Sequence, residues 1–283
     1  MKDSFRTVAY LLAIPLAGLA VFFLWNWVNG GAPKPVATKT KTVAAAKSQP
    51  EEQHADALPR VQRRQHRGDI VLIIDDVGFD GQPLDRLTSI DPNLNFSVLP
   101  NGNRTASSAE LLHARGFELL CHLPMEPRGD ESPGRNAILT AMSDDEIVRT
   151  TRENLNAVPF ARGMNNHMGS RATADRRVMT SVLHTLPKNM YFIDSRTTGD
   201  SIAGRVAREM SIPTATRNVF LDDIASERAV RHQLAELASA AETRGVAIGI
   251  GHPYAVTVKV LTEEVPRLRA QGFRFVRASD AVH

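Results

Sequence analysis

The sequence predicts an α/β domain built as a closed barrel of parallel β/α units. Short apolar runs alternate with longer amphipathic segments from residue 69 onward, which is typical of repeated strand and helix units. About eight of these runs read as strands, and polar residues cluster just past their ends. A closed barrel brings all of its strand ends to one face. An open doubly wound sheet would gather fewer of them, since its ligand site lies at one switch point.

The first predicted strand lies in the stretch from Asp69 to Phe79 and ends on two adjacent acids, Asp75 and Asp76. A short run of branched apolar residues is typical of a strand buried on both faces. Two carboxylates at its end cost desolvation and repel each other unless a cation, a proton or several hydrogen bonds compensate. The pair is therefore a candidate metal or acid/base site, although Asp76 could instead cap a turn that Gly78 completes.

The third predicted strand, residues 117–121, is followed at once by a segment that contains Pro124 and Pro127. Proline is excluded from helix interiors and from central strands. We therefore expect His122 and Glu126 on a constrained loop at a strand end, a position that favours function over packing.

The remaining predicted elements continue the alternation. Strands are predicted over 96–100, 189–194, 218–223, 246–252 and 273–276, and helices over 105–115, 143–158, 176–186, 204–210, 227–244 and 258–271.

A compact polar cluster interrupts the alternation between residues 161 and 171. Two glycines flank amide, imidazole, hydroxyl and guanidinium groups, in the order Asn165, Asn166, His167, Ser170 and Arg171. Such a composition predicts a loop that approaches a ligand closely. Alternatively, the two asparagines make only turn hydrogen bonds. His167 has no helical or core role in the pattern, which favours the site interpretation.

The amino terminus predicts a membrane anchor. No charged residue occurs from Thr7 to Pro33, and the segment Val8 to Val28 has about the ~20 apolar residues that span a bilayer. We predict an uncleaved anchor over residues 1–29; a cleaved signal peptide is the alternative.

The flanks of this segment predict its orientation. Lys2 and Arg6 favour a cytoplasmic amino terminus, and Trp25 and Trp27 suit the opposite interface. Residues 30–67 contain almost no large apolar side chain and predict a flexible linker. The domain at 68–283 would then lie outside the cytoplasm, anchored in a bacterial inner membrane and facing the periplasm or the cell exterior.

Composition limits the choice of partners. The formal net charge is only +3 and the basic residues are spread along the chain, so we expect no nucleic-acid partner. The single cysteine, Cys121, excludes an internal disulfide.

The polar residues at the strand ends suit metal chemistry. Carboxylates and imidazoles without a cysteine cluster are typical ligands of a catalytic zinc or a similar divalent ion. Such an ion activates water near neutral pH, while one carboxylate takes a proton and a histidine returns one to the leaving group. Spacing alone is a weak indication, because the chain has no H-x-x-x-H or H-E-x-x-H motif.

Five segments together resemble the divergent polysaccharide deacetylase family, relatives of the NodB-type carbohydrate esterases. The resemblance covers roughly Gly68 to the carboxy terminus. It rests on these ordered motifs: Ile74 to Gly78, Phe96 to Pro100, His122 to Pro127, Asn165 to Ser170, and Gly251 to Pro253.

This resemblance implies a distorted barrel of β/α units, a divalent metal that is usually zinc, and hydrolysis of acetyl groups on sugars. Carried over by position, Asp75 would be the base and Asp76 a metal ligand. His122 would be the first metal histidine, and His252 the late histidine that acts as an acid.

The chain departs from the usual pattern at one ligand position. Glu126 stands where the usual enzymes have a second histidine, four residues after His122. Either Glu126 enters the metal shell or His167 supplies the missing ligand from another segment. We favour His167, because imidazole is the commoner zinc ligand.

The expected function is therefore removal of acetyl groups from an envelope polysaccharide or oligosaccharide. Glu126 and Asp194 complete the catalytic candidates, and the expected substrate contacts are Asn166, Ser170, Arg171 and Tyr254. A non-catalytic carbohydrate-binding or envelope-assembly protein on the same fold is the alternative, followed by a metal-dependent hydrolase of another ester or amide.

Overall fold

The computed structural model describes residues 66–283. The predicted anchor at residues 1–29 and all but the end of the predicted linker lie outside the described residues. Within the described range, no helix has both the length and the apolar character that a membrane span requires.

Within residues 66–283, nine strands alternate with seven α-helices. The strands are β1 (Gly68–Val77), β2 (Asn95–Val98), β3 (Glu118–Met125), β4 (Ala161–Met168), β5 (Tyr191–Asp194), β6 (Thr214–Thr216), β7 (Val219–Phe220), β8 (Val246–Gly251) and β9 (Phe273–Phe275). The helices are α1 (Leu84–Thr88), α2 (Thr105–Ala114), α3 (Asp144–Ala157), α4 (Arg176–His184), α5 (Ala203–Glu209), α6 (Glu227–Arg244) and α7 (Ala255–Gln271).

All of the strand pairings are parallel, in the order β6-β5-β4-β3-β2-β1-β8-β7, and β9 pairs with the start of β1. The two edge strands, β6 and β7, are consecutive in the chain and are separated only by Arg217 and Asn218. Because two residues join the opposite edges, the sheet must curl round on itself. The predicted α/β fold with a distorted barrel is confirmed, with nine strands instead of about eight.

Alternation along β1 divides the apolar residues between two cores. Ile70, Leu72 and Ile74 pack in the large core that the helices cover. Val71 and Ile73 point to the other face, into a smaller core that also contains Leu120, Tyr191, Ile193, Ile248 and Ile250. Successive side chains of a strand point to opposite faces, so one buried strand serves both cores. The smaller core fills the barrel interior beneath the strand ends.

The helices begin with side-chain caps where the sequence offers them. Ser143 and Glu146 form a reciprocal capping box at the start of α3. Asp175 caps α4, and Ser226 caps α6. Such caps satisfy amide groups that a helix cannot pair internally.

Two loop predictions were wrong, because both segments are strands. His122 lies inside β3, which runs on through Pro124 to Met125. The ladder between β2 and β3 already ends at Val98 and Cys121, so the missing amide proton of Pro124 costs no bond to β2. Residues 161–168 form β4, and the loop follows only after Met168.

Candidate metal and catalytic site

The inward positions of several strands become polar at one end of the barrel. Asp75 follows Ile73 on the inward face of β1, and His122 follows Leu120 on that of β3. Neighbouring strands contribute Ser97, Asn165 and His252 by the same two-residue step. The strand period therefore stacks a polar layer directly on the apolar interior of the barrel.

The backbone of Asp76 turns both adjacent carboxylates toward the site. In a regular strand Asp75 and Asp76 would point to opposite faces. Asp76 instead has φ +57°, and the ladder between β1 and β2 shifts register between Ile74 and Val77. The side chain of Gln82 holds this turn, since its Nε2 donates to the carbonyl of Asp76 at 2.7 Å. Left-handed backbone at a non-glycine residue is strained and is often found at functional sites.

Three potential metal ligands lie within a few ångströms of one another. Asp76 Oδ1 is 2.9 Å from His167 Nδ1 and 3.2 Å from His122 Nε2, and these two nitrogens are 3.2 Å apart. Ligands of a tetrahedral zinc at ~2.0–2.1 Å lie about 3.3 Å apart, close to the edges of this triangle. Asp76 Oδ1 is also buried without a hydrogen bond of acceptable geometry. The donor set and this orphaned oxygen both fit a divalent cation, and we call these residues the metal triangle.

The amide of Asn165 connects the metal triangle to Asp75. Its Nδ2 donates to Asp75 Oδ1 at 2.9 Å, and its Oδ1 lies 2.8 Å from His122 Nδ1. The hydroxyl of Ser97 donates to the same Asn165 oxygen. Because that oxygen only accepts, it selects the tautomer of His122 with a proton on Nδ1. The Nε2 lone pair is then free to face the metal triangle.

A second carboxylate orients His252. Asp222 Oδ1 lies 2.9 Å from His252 Nδ1, while Oδ2 accepts from the backbone nitrogen of His252 at 2.7 Å and from Thr257 Oγ1 at 2.6 Å. His252 Nε2 lies 3.7 Å from Asp76 Oδ2. The imidazole therefore presents Nε2 to the site, with its other nitrogen held by a buried acid.

Burial and mutual charge separate the pKa values of these groups. Burial raises the pKa of Asp75 above its ordinary value, against the opposing charges of His122 and His252. Burial also tends to raise the pKa of Asp76, but the two histidines of the metal triangle outweigh it and hold that pKa below the usual range.

The pKa values of the imidazoles of His122 and His252 are both raised. Burial lowers the pKa of His122, but the charges of Asp75 and Asp76 outweigh this effect and raise it to about 9. The pKa of His252 is also raised, because the hydrogen bond to Asp222 and nearby carboxylates outweigh burial. A cluster of buried groups with shifted pKa values at a strand-end cleft is typical of a catalytic site.

Of the two residues considered for the missing ligand, the structure brings His167 and not Glu126 into the metal triangle. Glu126 Oε2 accepts from the amide and the hydroxyl of Thr140, each at 2.6 Å, and its other oxygen lies 3.2 Å from Arg171. Through these contacts, the carboxylate of Glu126 holds the segment that follows β3. They hold Glu126, a catalytic candidate in the sequence, away from the metal triangle.

Asp194 and Asn166 also bond away from the metal triangle. Asp194 accepts from the amides of Arg196 and Gly204 and from Ser201. Asn166 bonds to the carbonyl of Met168 and the amide of Ser195. The hydrogen bonds of Asp194 and those of Asn166 each hold a loop. Asn166 faces away from the metal triangle because Asn165, its neighbour in β4, takes the inward position.

The other residues expected to contact substrate differ in how close they lie to the site. Ser170 accepts from the amide of Arg128, and Arg171 pairs with Glu126 outside the polar layer. Tyr254 is 48% exposed and stacks on His252, with the ring centroids 5.2 Å apart. Of these residues, only Tyr254 lies directly against the site.

Sequence reasoning gave no site role to Ser97, Gln82 and Arg217, and it named Asn165 only as one member of the polar cluster at residues 161–171. Ser97 and Asn165 are buried inside the barrel, and Gln82 holds the turn at Asp76. Arg217 donates to the carbonyls of Ser195 and Arg196 and is near enough to Asp75 for their charges to interact. Strand parity would have identified Ser97 and Asn165, since both lie on the inward face that Asp75 defines.

Comparison with known proteins shows the family of this chain. A family model described as divergent polysaccharide deacetylase matches residues 72–282. The uncharacterized protein YibQ of Escherichia coli is 36% identical over 202 residues, which cover 71% of this chain and 63% of that protein. The chain thus spans less than two thirds of this relative's length. An uncharacterized Haemophilus influenzae protein is 33% identical over 196 residues, covering 68% of this chain and 69% of the relative.

A solved structure shares the fold. The crystal structure of an uncharacterized protein from Agrobacterium tumefaciens superposes with a TM-score of 0.72 at 20% identity, covering 77% of this chain and 90% of that one. At this identity the similarity extends to the fold alone.

Proposed function

Because the chain belongs to the divergent polysaccharide deacetylase family, we propose that it is a metal-dependent hydrolase that removes acetyl groups from an envelope glycan. The observation that carries the proposal is the metal triangle of Asp76, His122 and His167, set beside a buried acid and a second oriented imidazole. Metal ligands, a base and an acid at one barrel mouth are the parts that hydrolysis by activated water requires.

We propose zinc as the metal. Two imidazoles and one carboxylate match the ligands of many catalytic zinc sites, which leave a position open for water or substrate. When bound there, zinc would supply Lewis acidity toward water and toward the acetyl carbonyl. Asn165 would keep His122 in the tautomer that binds metal.

Asp75 would act as the general base. Its Oδ1 is held by Asn165, and its Oδ2 lies 3.6 Å from His122 Nε2, on the side of the metal triangle. The raised pKa strengthens it as a base, and proximity to the metal triangle would favour its ionised form. Asp75 would take a proton from the attacking water as the water oxygen bonds to the acetyl carbon.

His252 would act as the general acid. Its raised pKa favours the protonated ring, and Asp222 stabilises that charge. As the bond between the acetyl carbon and the sugar nitrogen or oxygen breaks, the Nε2 proton would pass to the leaving atom. Acetate and a free amine or hydroxyl are then the products.

The predicted anchor would attach the proposed enzyme to the membrane. A membrane helix within residues 1–29 and a linker over residues 30–67 would hold the domain near the envelope glycans of the outer side. This arrangement is part of the proposal and is testable by fractionation of cells that express the full-length chain.

Acetate release tests the proposal directly. The full-length chain loaded with zinc should release acetate from acetylated chito-oligosaccharides or from acetylxylan. The variant Asp75→Asn should lower kcat by about a hundredfold or more, since general base catalysis contributes at least that much. Asp145→Asn, which alters an exposed acid in the first turn of α3, is the matched control and should leave kcat unchanged.

Equal and slow acetate release by the wild type and by Asp75→Asn would contradict the proposal. A protein that binds the same glycans without releasing acetate would instead be the non-catalytic binder.

A further inference from the structure

A groove of about 290 Å³ begins at the metal triangle and runs along the barrel mouth. The imidazole of His167 belongs both to the metal triangle and to the wall of this groove. A glycan whose acetyl group reaches the metal triangle can therefore place a neighbouring sugar in the groove.

Several apolar side chains line the groove. Phe79, Leu99, Pro124 and Pro133 line it, and Phe79 is 43% exposed. Gln82 Oε1 accepts from the backbone nitrogen of Phe79 at 3.1 Å and so fixes the backbone from which this ring projects. An exposed aromatic side chain in a groove is a natural surface for the apolar face of a ring.

One cation lines the groove without a matching acid. The lining residues include Arg135 but no aspartate or glutamate. Among the acids of the surrounding loops, Asp80 pairs with Arg104 and Asp200 with Arg128, while Asp130 and Glu131 lie in the loop of Arg135 but do not line the groove. None of the ion pairs found within residues 66–283 involves Arg135, whose side chain is exposed.

The loop that carries Arg135 is fixed to the site. Asn101 Nδ2 donates to the carbonyl oxygen of Arg135 at 2.6 Å, and Asn101 itself lines the groove. The hydrogen bond ties this loop to the segment that follows β2. The backbone at Arg135 is thus held beside the groove that this residue lines.

We propose that this groove is a subsite for a sugar residue that carries a carboxylate, next to the acetylated sugar at the metal triangle. The planar guanidinium of Arg135 would bind the carboxylate through paired hydrogen bonds, while the ring packs on Phe79. The subsite rests on the proposed function, because the metal triangle defines where the acetylated sugar lies. It adds a substrate class, an acidic glycan, that the hydrolytic chemistry alone does not specify.

Calorimetric binding to the full-length chain tests the subsite. The probes are a hyaluronan tetrasaccharide, in which N-acetylglucosamine alternates with glucuronate, and the same tetrasaccharide with its carboxylates converted to methyl esters. We expect the acid to bind about fivefold more tightly than the ester, as for a partly exposed charge pair of about 1 kcal/mol. Raising the ionic strength should reduce that preference.

Three variants separate the contributions. Arg135→Gln should abolish the preference for the acid, and Phe79→Ala should weaken binding of both probes to the same degree. Arg152→Gln is the matched control, since Arg152 is an exposed residue of α3 outside the groove lining, and it should keep the preference.

Equal affinity of the wild type for the two probes, a preference that persists in Arg135→Gln, or binding of neither probe would overturn the subsite. The hydrolase proposal is judged separately by acetate release. Absent acetate release with an intact preference would remove the enzyme and leave the subsite. Normal acetate release without the preference would keep the enzyme and remove the subsite.

Discussion

Asn165 donates a hydrogen bond from its amide nitrogen to Oδ1 of Asp75 at 2.9 Å, deep inside the barrel. The oxygen of the same amide lies 2.8 Å from Nδ1 of His122. One buried side chain therefore positions both the proposed base and a proposed metal ligand. A neutral amide suits this place, because it donates to one partner and accepts from the other.

Replacing Asn165 should weaken metal binding as well as the fold. Asn165→Ala removes the buried partner of Asp75 Oδ1 and of His122 Nδ1, so we expect a loss of about 1–3 kcal/mol in the free energy of unfolding. Metal affinity should fall about 10–100-fold, as is typical when the partner of a ligating histidine is lost. Urea denaturation and metal titration measure the two effects.

Asn166→Ala is the control for this variant. Asn166 is equally buried and makes two hydrogen bonds, but neither of them reaches Asp75 or His122. It should lose stability and keep its metal affinity. A parallel loss of metal affinity in both variants would show that Asn165 acts only through the fold.

The missing ligand position gives a second prediction. His167→Ala removes one corner of the metal triangle and should lower zinc affinity by more than about a hundredfold. Glu126→Gln should change zinc affinity little, because its carboxylate is occupied by Thr140 and Arg171. Competition with a chromogenic chelator measures both, and the opposite ranking would assign the ligand to Glu126.

Metal binding should depend on pH through His122. Burial lowers the pKa of this imidazole, but Asp75 and Asp76 raise it to about 9 in the metal-free protein, so at neutral pH a metal must displace a proton. Zinc affinity should therefore rise about tenfold per pH unit from about pH 6 to 8 and level off above about pH 9. Titrations in buffers that do not bind zinc would show this slope, and a flat profile would mean that no proton is released.

Asp222 should set the alkaline limit of activity. Its carboxylate helps to raise the pKa of His252, and a general acid must be protonated to act. Asp222→Asn should lower that pKa, so the alkaline limb of the profile of kcat against pH should move to lower pH. Loss of kcat with an unmoved limb would give Asp222 a purely structural role.

The sequence predicted the barrel because its apolar runs and helices are regular. The branched residues of β1 form a strand, and the capping box at Ser143 begins a helix, as their local sequence predicts. Two strands escaped prediction. The inward face of β4 is polar, so its composition resembled a loop, and β6 has only three residues, Thr214–Thr216.

The site was harder to predict residue by residue. Asn165 and Asn166 are chemically identical, and only the parity of β4 decides which one faces Asp75. Glu126 and Asp194 looked available because their hydroxyl partners, Thr140 and Ser201, carry no charge that would mark them in the sequence, and nothing in the sequence shows that Arg171 pairs with Glu126. The strand ends indicate which residues lie near one another, whereas their hydrogen-bond partners depend on contacts between segments far apart in the sequence.

Anomalous scattering at the zinc absorption edge, measured on crystals grown with zinc, tests the metal triangle most directly. The account predicts one peak at about 2.0–2.2 Å from Asp76 Oδ1, His122 Nε2 and His167 Nδ1, with an open position toward the groove. A peak on other residues, or none at these three at saturating zinc, would contradict it.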